Sequence, residues 1–93
     1  MAIIVVEQVY NKLFNMGLSF PRDDKDIRVK NIVTLEVVDK EESTIRFAAV
    51  HLDTKTITIV DLAIAGKTGD QYDIANVFKI FQGSWHEFLE WER

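Results

Sequence analysis

AGKTGD at 65–70 carries the Gly-Lys-Thr of a phosphate-binding loop, with a strand-like run before it and a helix-like pattern after. Such a loop needs G-x-x-x-x-G-K-[ST], because its first glycine permits the turn whose backbone N–H groups wrap the phosphates. Reading back from Gly66, Lys67 and Thr68, that first place holds Asp61, whose charge also repels phosphate. The plainer reading is a glycine turn. HEFLE, with His86, Glu87 and Glu90, approaches the helical zinc motif H-E-x-x-H, but Glu90 stands where the second His belongs. A solvent-facing polar helix accounts for it. His51 and Asp53 fall on one face of an expected strand, but no nucleophile stands at a spacing that would complete a site. The expectation is therefore a protein that is not an enzyme and binds no metal, nucleotide or other cofactor.

Composition narrows the classes further. The absence of cysteine excludes disulfides, thiolate chemistry and Cys-based zinc sites. Fifteen acids against eleven bases give a net charge of −4, the wrong sign for generic contact with a phosphate backbone. The one basic-leaning stretch, Arg22 to Lys30, mixes four bases with three acids and reads as a solvated loop. MAIIVV is apolar but lacks the basic start and cleavage site of a signal peptide, and no run approaches the ~18 apolar residues of a membrane span. These features predict a cytoplasmic chain with no membrane or nucleic-acid partner. Ninety-three residues suit one domain over 1–93, burying roughly 60–65% of the surface its unfolded form exposes.

The elements that must position any site follow from periodicity. Ile3, Val6, Val9, Tyr10, Leu13 and Phe14 recur every three or four residues and predict a helix over about 3–16. Gly17 suits its left-handed stop, with Leu18 folding back onto the last turn. Ser19 to Asp26 holds the only proline and reads as a loop. Period two then predicts strands at about 31–39, 44–52 and 56–64, joined by short polar separators that suit antiparallel neighbours. Beyond GKTGD, Ile74, Phe78, Phe81, Trp85 and Phe88 alternate steps of four and three, which predicts a helix over about 71–92 with Asp70 as its cap. Ser84 with Glu87 is also a capping box, so a break near Gly83 is the favoured form of that element. The expected fold is α+β: α-β-β-β-α, a three-stranded antiparallel meander with the N- and C-terminal helices packed on one face.

That order resembles the double-stranded-RNA-binding domain over roughly residues 3–92, in element order alone. In that family a lysine cluster opening the last helix contacts phosphates. The corresponding residues here are Asp70, Gln71, Tyr72 and Asp73, with Lys67 alone upstream. The resemblance thus implies a fold and argues against the RNA function.

Two readings of function remain. The first is a small acidic protein-binding module, an adaptor or an inhibitor that occupies a partner's surface. On a continuous helix Trp91 aligns with Ile80, Ser84 and Glu87, so Ile80, Glu87 and Trp91 form the candidate interface, a large apolar anchor beside charge. The alternative is a self-assembling protein, most simply a homodimer. The sheet has two open edges, and VDLAIA at 60–65 is apolar on both faces apart from Asp61.

Overall fold

The computed structural model describes residues 4–21 and 31–92. Ile3 and the Arg22–Lys30 stretch lie outside the described residues. The element order is α1 (Val6–Asn15), β1 (Ile32–Asp39), β2 (Thr44–His51), β3 (Thr56–Thr68), β4 (Gln71–Ser84) and α2 (Trp85–Glu90). The four strands make one antiparallel sheet in the order β1-β2-β3-β4.

Helix α1 begins later than its apolar stripe suggests. Val5 is extended, and its N–H donates to Gln8 Oε1 at 2.9 Å, which closes the first turn from the side. Val5, being β-branched, gains little from helix and keeps the extended form. At the other end Gly17 has φ +89°, its N–H donates to the Phe14 carbonyl, and Leu18 N–H donates to Leu13 O. Leu18 is buried against the core, so the stop and the folded-back leucine are as the sequence predicts. The chain then runs beside β1, where Ser19 and Glu36 exchange two backbone hydrogen bonds.

The turns form where polar separators stand. Asp39 Oδ1 accepts the N–H groups of Glu41 and Glu42, and Ser43 and Lys55 take the left-handed conformation that reverses the chain. Strands β1 to β3 match the expected ranges, except that β3 continues through Thr68.

The sequence expectation fails at the C-terminal element. Residues 71–84 are not helical: they form β4, so the sheet has four strands rather than three and the order is α-β-β-β-β-α. The resemblance to the double-stranded-RNA-binding order ends there. Asp70 caps no helix; with Gly69, at φ +62°, it makes the two-residue turn of the β3–β4 hairpin. The misleading spacing has a physical cause. Strand β4 carries an extra residue at Ala75 and another at Ile80, where the register shifts against β3. A bulge stretches same-face spacing from two residues to three. Ile74 and Val77 oppose Ile64 and Leu62 on one face, while Phe78 and Phe81 oppose Asp61 and Ile59 on the other. Both pairs thus sit three apart, which is also helical spacing.

True helix begins only at the Ser-x-x-Glu capping box. Ser84 Oγ accepts Glu87 N–H at 3.0 Å, and Glu87 Oε1 accepts Ser84 N–H at 3.1 Å. These hydrogen bonds from Ser84, the backbone one foremost, hold the Glu87 carboxyl below the usual range.

One face of the sheet carries the core. Leu35, Ala48, Val50, Ile57 and Ile59 are buried there under Val9 and Leu13 of α1 and Trp85 and Phe88 of α2. Trp85 Nε1 donates to Thr56 O at 2.9 Å, satisfying its one polar atom.

Candidate functional site

The residues with chemical potential are dispersed by this fold. Gly66, Lys67 and Thr68 lie in β3, on a hairpin that returns as a strand, so no helix N-terminus faces the loop as phosphate binding would require. Asp61, in the place of the missing glycine, forms a two-point ion pair with Arg46, Nε to Oδ1 at 2.6 Å and Nη2 to Oδ2 at 2.9 Å. That hydrogen bonding raises the guanidinium pKa further, against the opposing effect of its partial burial. His86 and Glu90 pair at 3.2 Å on the exposed side of α2. Asp53 lies in the turn after β2, where Oδ1 accepts Thr54 N–H. Among the described residues no three acidic, His or Cys side chains converge on a metal position.

An open cleft of about 670 Å³ lies between α1 and the end of α2, lined by Lys12, Met16, Arg46, Leu89, Trp91 and Glu92. Both of its cations are already held by protein oxygens. Arg46 is paired with Asp61, and Lys12 Nζ donates to the carbonyls of Phe88 and Trp91. The same ammonium sits 4.7 Å from the Phe88 ring centroid. Lys12 therefore ties α1 to the open C-terminal end of α2, using carbonyls no further helical turn satisfies. The cleft leaves neither cation to neutralise an anionic ligand.

Ile80, Glu87 and Trp91 are not brought together as one helical flank. Ile80 is the bulge residue of β4, half-buried against the core. Glu87 is spent on the capping box. Trp91 ends α2 and packs within the chain, its ring centroid 5.0 Å from that of Phe81 and 6.1 Å from that of Phe88. The alignment that grouped the three assumed helix through residue 80, and β4 removes it.

The surface that stands out is the sheet face opposite the helices. Pairing places Val38, Ile45, Leu62 and Val77 in one cross-strand row, and Glu36, Phe47, Val60 and Lys79 in the next. None of these apolar side chains joins the cluster under the helices and no described element covers the face, although Ile45, in mid-row, is only 5% exposed. Above the rows the four strands give way to a two-stranded arm, because β3 and β4 outrun β1 and β2. There Ile64 opposes Ile74 and Lys67 opposes Tyr72, with Lys67 Nζ 5.6 Å from the Tyr72 ring. Val77 is 58% exposed, Ile74 42% and Tyr72 39%. An apolar stripe thus runs from mid-sheet up one side of the arm. The reverse side of the arm is mainly polar, with Thr68, Asp73 and Asn76, although Phe78 is also exposed there.

Sequence reasoning flagged one part of this stripe, the two-faced apolarity of VDLAIA. It missed Val38, Ile45, Phe47, Ile74 and Val77 as members. The available signal was β2, TIRFAAV, which carries Ile45, Phe47 and Ala49 on one alternating set and Ala48 and Val50 on the other, so that both faces hold apolar residues. No helix of the described residues is long and apolar enough to cross a membrane. No protein-family model, curated protein or solved structure matches this chain.

Proposed function

We propose that the chain is a non-enzymatic protein-binding module, an adaptor or an inhibitor that works by occupying a partner's surface, and that it binds through the apolar stripe of the helix-free sheet face. The observation that carries this is the apolar run from Val38 through Leu62 to Val77, Ile74 and Tyr72, the last three 58%, 42% and 39% exposed and none covered by a described element. A contiguous exposed apolar patch rimmed by polar residues marks an interaction site. The charged ends of its second row, Glu36 and Lys79, supply a polar rim. Net charge of −4 and the mixed signs of that rim favour a protein partner over nucleic acid.

The face is favoured over the free edge of β4. Among the described residues no strand pairs with that edge, but its two bulges and Lys79 are features by which edge strands avoid pairing. A photo-crosslinking residue at Ile74, in cells making the full chain, is expected to give a discrete protein adduct. The same residue at Leu52, exposed in the turn at the far end of the sheet, should give none. Absence of an adduct from Ile74 would overturn the reading.

A further inference from the structure

Resting on that reading for the surface, and on the self-assembling alternative for its occupant, we infer that a second copy of this chain packs on the stripe face to face about a two-fold axis parallel to the strands. The row Glu36–Phe47–Val60–Lys79 crosses the whole sheet, with an acid on β1 and a base on β4. A two-fold parallel to the strands and midway between β2 and β3 brings β1 of one copy over β4 of the other. Glu36 then faces Lys79 of the second copy and Lys79 faces its Glu36, while Phe47 meets Val60. The next row matches in the same way, Val38 over Val77 and Ile45 over Leu62. Facing sheets lie about 10 Å apart with strands about 30° off parallel, a gap that a Glu and a Lys reaching from each rim can bridge.

The same operation sets the two arms side by side rather than face to face, each beyond the β1–β2 end of the other copy. A two-fold perpendicular to the strands lays β1 over β1 and β4 over β4, so that Glu36 meets no Lys79, and it sends the arms to opposite ends.

The test is sedimentation equilibrium of the full chain from about 1 to 300 μM, with Glu36→Lys, Lys79→Glu and the double exchange. The expected mass is twice 10.7 kDa at the upper concentrations. Each single exchange puts like charges together at both symmetry-related contacts and should weaken association by at least ~10-fold, and the double exchange should restore it to within ~3-fold. A monomer at 300 μM, or single exchanges that leave association unchanged, overturns the dimer. An adduct at Ile74 whose mass is not that of a second chain also overturns it, while leaving the protein-binding reading standing. No adduct at all removes both.

Discussion

Phe88→Ala is expected to remove about 3–5 kcal/mol of stability, the usual result of truncating a fully buried aromatic. Phe88 is wholly inaccessible, and it joins the parts that hold the C-terminus in place. Its ring contacts those of Phe81 and Trp91, and the Lys12 ammonium lies over it. A 93-residue domain has roughly 5–14 kcal/mol in all, so the variant should be partly unfolded or close to it at 37 °C. Two neighbours calibrate the result. Phe81, half-buried, should cost less, and Phe78, 52% exposed, should change stability by about 0.5 kcal/mol or less. One helical stripe would have made these three equivalent. Urea unfolding at low protein concentration measures all three, and a loss at Phe78 equal to that at Phe88 would contradict the placement of β4.

The second large effect is on association. Val77→Asp places a carboxylate in the middle of the apolar stripe, and in a symmetric pair it does so twice. Burying an unpaired charge is costly, so self-association should weaken by at least ~100-fold. The isolated chain should lose about 1 kcal/mol or less, since Val77 is 58% exposed and only strand propensity is sacrificed. Comparing the midpoint at low concentration with sedimentation at high concentration separates the two. Association unchanged in Val77→Asp would exclude this face as the interface.

The legible and illegible parts of the sequence divide along one physical line. Helix α1, strands β1 and β2 and β3 as far as Ile64 have unbroken periods, so Gly17, the DKEES turn and the DTKT turn could be placed from residue types alone. Strand β4 does not. Its extra residues at Ala75 and Ile80 convert period two into spacings of three, and Tyr72, Ile74, Val77 and Phe78, all residues that favour strands, were outweighed by that spacing. The capping box at Ser84 and Glu87 was readable because it depends on four consecutive residues and not on what precedes them. The candidate surface was harder still. Whether Ile45 and Phe47 face a helix, a second sheet or solvent depends on which side α1 and α2 choose, and strand periodicity does not record that choice. The trio Ile80, Glu87 and Trp91 inherited the misread helix, which is why its members were grouped.

Val77 and Phe78 provide the most direct test of the stripe, because they are adjacent in β4 and point to opposite faces. In the free chain they are 58% and 52% exposed, nearly equal. A soluble paramagnetic probe added to the full chain at several hundred micromolar reads the accessibility of each side chain by relaxation enhancement. Coverage of the helix-free face by a partner copy predicts that the Val77 methyls are protected, together with those of Leu62, while the Phe78 ring remains fully enhanced. Equal enhancement at Val77 and Phe78, unchanged from dilute to concentrated protein, would contradict it.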